Sequence, residues 1–337
     1  MNAPAQILKD TQASPAERLW ALAAEDMSAV DALILDRMQS PVGLIPNLAQ
    51  HLVGAGGKRL RPLLTVATSL MCGYKGDAHH KLAASVEFIH SATLLHDDVV
   101  DESELRRGKK PANLIWGNSA SILVGDFLFA RAFNLMVETG SMEALGILSN
   151  ASSVIAEGEV QQLAALRDVK MSETAYMQVI SAKTAALFAA ATEVAPVIAQ
   201  RPTAEREALR DYGLKLGLAF QLVDDALDYG GFESALGKSV GDDFREGKMT
   251  LPVIRAVHAA DKKEAEFWHR VIVDREQEDV DFETAISLLR KTGALDSTMD
   301  LARQYAREAR EALSIFEASA WRETLEDLAD YVVERIN

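Results

Sequence analysis

Residues 81–104 read KLAASVEFIHSATLLHDDVVDESE, and this stretch decides the fold class. It contains no glycine or proline, is rich in Ala, Leu and Val, and predicts one long helix. Similar Ala- and Leu-rich stretches recur along the 337 residues, and the 9 prolines and 20 glycines tend to fall between them. That distribution indicates helices separated by turns, so an all-α fold is predicted.

The other apolar stretches extend the helical prediction along the whole chain. Apolar residues at helical spacing predict a helix over 17–38, which Ser40-Pro41 ends. Further helices are predicted over 45–52, from Pro62 onward, and over 119–138, 142–166, 172–198 and 203–229, followed by a polar loop over 232–250 and charged amphipathic helices to residue 337. No repeat, low-complexity tract or linker is visible. We therefore expect a flexible N-terminus over 1–15 and a single helical domain over 16–337.

Composition argues against several classes of protein. A net charge of -15 disfavours a nucleic-acid-binding surface, which needs an excess of Lys and Arg. The single cysteine, Cys72, permits neither an internal disulfide nor a thiolate zinc site. Residues 1–13 lack the features of a secretory signal, and the most apolar window, 184–199, is shorter than the roughly 20 residues of a membrane span. A cytoplasmic protein with a buried helix at 184–199 is expected.

Two acidic motifs carry the candidate chemistry. One is Asp97-Asp98-Val99-Val100-Asp101 and the other is Asp224-Asp225-Ala226-Leu227-Asp228, with Gln221 one turn earlier. In each motif the first and last aspartates are four residues apart and share a helix face, where like charges repel. Apolar residues flank both motifs, so the carboxylates cost stability unless a cation offsets them.

The type of ligand in these motifs indicates the metal. Carboxylate oxygens without sulfur or a histidine pair suit Mg²⁺, which keeps water and substrate phosphate as further ligands. Two facing carboxylate pairs therefore predict a metal-bridged diphosphate, the alternative being that each motif is a solvated acidic turn. The seven histidines show no metalloprotease spacing, since His90 and His96 are six residues apart and cannot share a helix face.

Basic residues stand near both motifs and predict an anionic substrate. Lys58, Arg59 and Arg61 follow the Gly56-Gly57 turn at a helix entrance, where free backbone N–H groups also favour an anion. Taken singly the basic residues would be surface charges, or for Lys183 a snorkelling side chain, and only their joint placement supports binding. The others are Arg106 and Arg107 after the first motif, Lys183 in an apolar stretch, and Lys238 and Lys248 after the second motif.

Taken together, these motifs resemble those of the trans-isoprenyl diphosphate synthases over residues 54–252. The resemblance rests on Gly56-Gly57-Lys58-Arg59-Leu60-Arg61-Pro62, Glu87-Phe88-Ile89-His90, Leu95-His96 before the first acidic motif, Arg106-Arg107, Gly125-Asp126, Glu159-Val160-Gln161, Lys183-Thr184, Phe220-Gln221-Leu222-Val223 before the second, Gly237-Lys238 and Gly247-Lys248. It implies a bundle of antiparallel helices around a deep central cavity, usually in a homodimer.

Residue roles follow from the resemblance alone. It implies that Lys58, Arg61, His90 and Arg107 hold isopentenyl diphosphate, and that Arg106, Lys183, Thr184, Gln221, Lys238 and Lys248 hold the allylic diphosphate. It also implies that Asp97, Asp101 and Asp224 are the chief metal ligands, with Asp98, Asp225 and Asp228 close behind. Three Mg²⁺ ions and the lysines would stabilise departing pyrophosphate, so that the isopentenyl double bond attacks an allylic cation kept from water. Pyrophosphate is the expected base for the final proton.

In the resembling family the residues just before the first acidic motif line the cavity. Here they are Ala92 and Thr93, and Ala92 lies about 7 to 8 Å below Asp97 along a helix. The small side chain leaves the tunnel open, which favours an octaprenyl to decaprenyl product of the kind used for quinone side chains. Met136 and Leu148 are candidates for the tunnel floor. Contact with a membrane is expected to be peripheral at most, for product release.

Other interpretations remain open. A farnesyl or geranylgeranyl synthase would make a shorter product with the same motifs. A terpene cyclase would ionise a similar substrate but would not need Lys58, Arg61 and His90. A non-catalytic partner subunit of a heteromeric synthase would be expected to lose an acidic motif, and a generic helical scaffold leaves the paired motifs unexplained.

Overall fold

The computed structural model describes residues 13–54, 59–101, 110–230 and 241–334. Within these ranges every regular element is helical, which confirms the all-α prediction. Two π-helical segments, Ser181–Ala185 and His269–Val273, and one 3₁₀ turn, Leu313–Ile315, accompany the α-helices. The α-helices are α1 Pro15–Leu22, α2 Ala24–Arg37, α3 Leu44–Gly54, α4 Leu60–Met71, α5 Ala78–Val100, α6 Ala112–Trp116, α7 Asn118–Glu138, α8 Met142–Ala164, α9 Glu173–Ile180, α10 Ala186–Ile198, α11 Thr203–Leu227, α12 Asp242–Glu246, α13 Leu251–His258, α14 Lys262–Trp268, α15 Asp281–Lys291, α16 Ala294–Ala312 and α17 Ala320–Glu334.

The helix predicted over 17–38 is in fact two helices. Ser14 and Glu17 form a capping box that starts α1, and the chain bends at Ala23 before α2. The bend lets α1 pack mainly against α17 while α2 packs mainly against α5, so that Leu19 and Met27 are both fully buried. The prediction of one helix was wrong because apolar spacing shows which residues are buried but not which partner buries them.

The structure adds detail to two later predictions. The helix predicted over 172–198 is continuous, but the π segment Ser181–Ala185 separates α9 from α10. The polar loop predicted over 232–250 contains the short helix α12 in its described part. The buried helix expected at 184–199 is confirmed, since α10 is buried from Leu187 to Pro196.

Two clusters of buried apolar residues form the core. The first lies among the N-terminal helices, α5, α7, α8 and α10, and the second lies among α9, α13, α14 and α15. Helices α11 and α16 contribute side chains to both clusters and join them. The two long helices that carry the acidic motifs, α5 and α11, are therefore packed on several sides and hold their C-terminal ends in place.

Helix α7 has an unusual distribution of apolar residues. It is the one described helix whose length and hydropathy would suit a membrane span, and 39% of its most apolar stretch is buried in the fold. Its outer face keeps Leu123 and Val137 exposed at 66% and 63%. The inner face packs along α5, so α7 is a bundle helix with one apolar side left uncovered.

Candidate active site

Both acidic motifs lie at the C-terminal ends of long helices. Asp97 and Asp98 are in the last turn of α5 with Asp101 at its C-cap, and Asp224 and Asp225 are in the last turn of α11. The C-terminus of a helix carries a partial negative charge, which disfavours carboxylates at that end. The position of the motifs therefore adds to the repulsion within each of them and makes a cation more favourable there.

Two lysines approach the first motif from other parts of the fold. Lys183 Nζ lies 3.9 Å from Asp97 Oδ2 and donates a hydrogen bond of 2.8 Å to Glu159 Oε2. Lys248 Nζ lies 3.5 Å from Asp101 Oδ2. The two lysines are far from each other in sequence, so tertiary structure gathers the basic and acidic residues into one site.

The π segment positions Lys183. A single π-helical turn inside an α-helix is rare and often marks a functional site, because it changes the direction in which side chains point. Gly158 on α8 permits the close approach of this segment: a Cβ at that position would lie 2.7 Å from Ala182 Cβ and 3.0 Å from the backbone nitrogen of Lys183. The neighbouring Glu159 then receives the ammonium group of Lys183.

Asp228 connects the second motif to the segment that follows it. Its carboxylate accepts hydrogen bonds from the backbone N–H groups of Asp242, at 3.2 Å, and Asp243, at 3.0 Å. It thus anchors the start of α12, which leads to Lys248. Burial acts to lower the pKa of Lys248, but the carboxylates of Asp243 and Asp101 outweigh it and hold the pKa above its ordinary value. Lys248 is therefore a firmly charged cation beside Asp101 and Asp243.

A hydrogen-bond network of Thr184, Gln221 and Tyr176 holds Asp225 of the second motif in place. Thr184 Oγ1 donates to Gln221 Oε1 at 2.8 Å, and Gln221 Nε2 donates to Asp225 Oδ1 at 2.8 Å. The hydroxyl of Tyr176 donates to Asp225 Oδ2. Burial, and secondly the carboxylate of Asp243, raise the pKa of Asp225 to about 7. Thr184, Gln221 and Asp225 were predicted as site residues, and the structure joins all three.

Burial separates the outer aspartates from the middle ones in both motifs. Asp98 and Asp225 are only 1% and 3% exposed, whereas Asp97, Asp101 and Asp224 are half-buried. On the first motif Asn113 Nδ2 also donates to the backbone carbonyl of Asp98 at 3.0 Å, which ties α6 to the end of α5. The outer carboxylates are therefore better placed to bind a solvated metal ion, and the carboxylate of Asp225 is held by Tyr176 and Gln221 instead.

A second basic group lies between α4 and α5. Arg61 Nη1 is 3.2 Å from His90 Nε2, and its guanidinium stacks over the ring of Phe188 at 4.3 Å from the centroid. Next to it, Arg59 Nε pairs with Asp31 at 3.0 Å, which explains why Arg59 has a structural partner outside the site. The structure thus brings together the two described residues, Arg61 and His90, that were predicted for isopentenyl diphosphate.

The position of His96 explains why residue 125, in the Gly125-Asp126 motif, is a glycine. His96 Nε2 lies 3.2 Å from the carbonyl oxygen of Ile122 and 3.6 Å from Asp126 Oδ1. A Cβ at Gly125 would collide with the His96 ring, so only glycine allows this contact between α5 and α7. The contact fixes the last turns of α5 directly before Asp97.

The predicted chain-length residues lie on the inner side of α5. Ala92 is fully buried, and so are Met136 on α7 and Leu148 on α8. Thr93 is half-buried and donates its hydroxyl to the backbone carbonyl of His90 at 2.9 Å. All three candidates for the tunnel wall and floor belong to the same apolar core cluster.

Four predicted substrate-binding residues lie outside the described residues, and three site residues were missed. Lys58, Arg106, Arg107 and Lys238 belong to the first group. The missed residues are Glu159, Tyr176 and Asp243, which contact Lys183, Asp225 and Lys248 respectively. Glu159 was visible only as part of a motif, and no signal in the sequence marks Tyr176 or Asp243, because each acts through a partner distant along the chain.

Comparison with known proteins identifies a family of similar sequences. The family model of polyprenyl synthetase matches residues 42–289. The octaprenyl diphosphate synthase of Escherichia coli (strain K12) is 44% identical over 319 residues, which are 95% of this chain and 98% of that protein.

Solved structures have the same fold. A polyprenyl synthase from Caulobacter crescentus CB15, complexed with calcium and isoprenyl diphosphate, is 60% identical with a TM-score of 0.91, over 94% of this chain and 97% of the other. A decaprenyl diphosphate synthase from Rhodobacter capsulatus is 54% identical with a TM-score of 0.92, over 96% and 99% of the two chains.

Proposed function

Since this chain belongs to the polyprenyl synthetase family, we propose that it is a prenyltransferase that condenses isopentenyl diphosphate with an allylic diphosphate. The product is a long-chain all-trans polyprenyl diphosphate. The observation that carries the proposal is the meeting of the first acidic motif with Lys183 and Lys248. The second motif is joined to the same site through the hydrogen bonds from Thr184 to Gln221 and from Gln221 to Asp225. A site with carboxylates for metal and ammonium groups for phosphate fits a diphosphate leaving group.

The residues of the acidic motifs fit Mg²⁺. Asp97, Asp101 and Asp224 offer half-buried hard oxygen ligands, and the helix C-termini at which they stand favour a cation. The calcium in the similar structure from Caulobacter crescentus has the same preference for oxygen ligands. Bound Mg²⁺, expected as three ions, would supply positive charge at the diphosphate oxygens.

The protein side chains bind and orient the substrates. Lys183 and Lys248 place ammonium groups beside the first motif, where they stabilise the charge that develops on the allylic diphosphate when its C–O bond breaks. Arg61 and His90 hold the isopentenyl diphosphate, whose double bond supplies the electron pair of the new C–C bond. The proton lost in the last step goes to the released pyrophosphate.

Ala92 supports a long product. Its small side chain lies about 7 to 8 Å along α5 from Asp97, where an aromatic ring in its place would block an apolar tail. The octaprenyl and decaprenyl synthases among the similar proteins agree with that length. Such a tail would suit the side chain of a quinone, and the enzyme would act in the cytoplasm with peripheral membrane contact at most.

A homodimer is the expected assembly. The outer faces of α7 and α8 expose apolar side chains that a monomer would leave in water. Leu123 and Val137 on α7 and Val160 and Leu163 on α8 are each more than half exposed. Pairing these faces across a two-fold axis would bury them against the same surface of a second chain.

One assay tests the proposed reaction. The purified protein is incubated with Mg²⁺, farnesyl diphosphate and isopentenyl diphosphate, and the products are identified by mass. Long polyprenyl diphosphates, absent when a chelator removes the metal, are the expected result. A hydrocarbon formed without isopentenyl diphosphate would indicate a cyclase, and no turnover by the pure chain would indicate a subunit that needs a catalytic partner.

A further inference from the structure

Three metal-ligating side chains meet at the end of α5 opposite the acidic motif. His79 and His80 stand in the first turn of α5, and Asp26 stands in the first turn of α2. The Nε2 atom of each imidazole lies 2.8 Å from the same oxygen, Asp26 Oδ1. One ligand atom from each side chain can be chosen so that all three lie within 4.8 Å of one another.

This arrangement suits a transition-metal ion better than Mg²⁺. Zinc binds imidazole nitrogen and carboxylate oxygen at about 2.0 to 2.2 Å, so ligand atoms already this close together need only small shifts to surround one ion. Mg²⁺ prefers oxygen ligands alone, and the acidic motifs provide those. Two imidazole nitrogens beside a carboxylate therefore select a different metal from the one expected at the active site.

Burial of the ligands adds to the case. His79 is only 2% exposed, while His80 and Asp26 are half-buried. A buried imidazole is favoured in its neutral form, which is the form that binds metal. The half-exposed ligands leave one side of the cluster open to solvent, where an ion can enter and keep a water molecule as its fourth ligand.

We propose that Asp26, His79 and His80 form a site for a single Zn²⁺ ion that ties α2 to α5. The ligands come from two helices joined by a long stretch of chain, so a bound ion would act as a cross-link between the N-terminal part of the bundle and the helix that carries Asp97. Helix α5 is about 34 Å long, so the ion lies well away from the first acidic motif. Its effect is on stability and on the position of α5.

The test is zinc binding by the full-length protein. The protein is freed of metal with a chelator, dialysed, held in millimolar Mg²⁺ to occupy the acidic motifs, and titrated with Zn²⁺ in competition with a chromophoric zinc indicator. One zinc per chain should be retained. At free zinc a hundredfold above Kd, the melting temperature should rise by about 4 °C for a chain of this size.

Matched variants make the test specific. His80→Gln and Asp26→Asn, which alter half-buried ligands, should abolish zinc retention and the thermal shift. His269→Gln is the control, since His269 is exposed and pairs with Asp274 at 3.1 Å without a second histidine. That variant should bind zinc like the unchanged protein.

Two results would overturn the proposal. One is failure of the metal-free protein to compete with the indicator, which would leave the cluster as a hydrogen-bonded contact between helices. The other is equal zinc retention by His80→Gln and the unchanged protein, which would place the ion elsewhere. Prenyltransferase activity is not a readout here, so either result leaves the proposed function untouched.

Discussion

At the end of α5, Asp97 and Asp101 face the ammonium groups of Lys183 and Lys248. At the end of α11, by contrast, Asp225 and Asp228 are hydrogen-bonded to the surrounding scaffold. Asp225 accepts hydrogen bonds from Tyr176 and Gln221. The two motifs have the same spacing of aspartates but different partners.

This difference indicates that the partners of the first motif are mobile, whereas those of the second are fixed by the fold. Long lysine side chains can move with a substrate, so the first motif is set up to respond when a diphosphate arrives. Asp228 accepts hydrogen bonds from the backbone N–H groups of Asp242 and Asp243. The Tyr176 hydroxyl donates one to Asp225. These partners cannot move without loss of local structure. We therefore expect substitutions of Asp97 or Asp101 to affect chemistry alone, and substitutions of Asp225 or Asp228 to affect stability as well.

The largest effect is expected from removing an outer aspartate. Asp97→Ala and Asp224→Ala should each lower turnover by at least about a hundredfold, the scale seen when an electrostatic contact to the transition state is lost. Folding should survive, because each change removes a repelling carboxylate. Steady-state kinetics at saturating Mg²⁺ measures this, with exposed Asp211→Ala on α11 as the control. Near-normal turnover in both variants would refute the metal assignment.

A smaller loss is expected from Lys183, one of the two lysines that face the first motif. Lys183→Ala should lower kcat by about ten- to a hundredfold, because it removes one of the charges proposed to stabilise the leaving group. The control is Lys215→Ala. Lys215 lies on α11 and pairs with Glu308 at 2.5 Å. Single-turnover kinetics with excess enzyme isolates ionisation of the allylic substrate.

The proposed isopentenyl pocket should respond in a different kinetic parameter. Arg61→Ala should mainly raise KM for isopentenyl diphosphate, since Arg61 lies with His90 rather than beside the acidic motifs. A thermal melt of the variant separates this effect from loss of the stacking on Phe188. Equal changes for both substrates in Lys183→Ala and Arg61→Ala would show that the basic residues are wrongly divided between the two pockets.

The scaffold role of the second motif is tested by its buried network. Tyr176→Phe should lower the free energy of unfolding by about 1 to 3 kcal/mol, because one oxygen of the buried Asp225 loses its hydrogen bond. Urea denaturation measures this loss. The control is Tyr305→Phe. Tyr305 is half-buried with its ring near Lys215, and its substitution should leave the free energy of unfolding nearly unchanged. Unchanged stability of Tyr176→Phe would mean that the second motif is no more structural than the first.

The smallest effect on rate, with a large effect on product, is expected at Ala92. Ala92→Phe should keep the first condensations near their normal rate and stop the chain after a few isoprene units, because a ring about 7 to 8 Å from the metal site forms a steric floor. Ala219 stands at the same distance before Asp224 on α11, so Ala219→Phe is the matched control. It should cost stability without shortening the product, as measured by mass. An unchanged product from Ala92→Phe would mean that the tunnel does not pass this residue.

Several elements of the fold followed from the sequence with little error. The apolar stretches predicted α7, α8 and α11 to within a few residues, because a helix that buries one face must repeat its apolar residues every three or four positions. The bend at Ala23 and the π segment around Lys183 were not predicted. Both depend on which neighbour each face packs against, and hydrophobic spacing contains no information about that.

The sequence by itself determined that two carboxylate pairs sit on helix faces and that basic residues accompany them, because spacing along a helix fixes which side chains share a face. Only the tertiary structure decided which lysine meets which aspartate, that Tyr176 and Glu159 belong to the site, and that His79 and His80 meet Asp26. These contacts join residues from about 20 to about 150 positions apart. No local rule spans such distances, and the packing of α5, α8 and α11 on their common neighbour α10 places these groups.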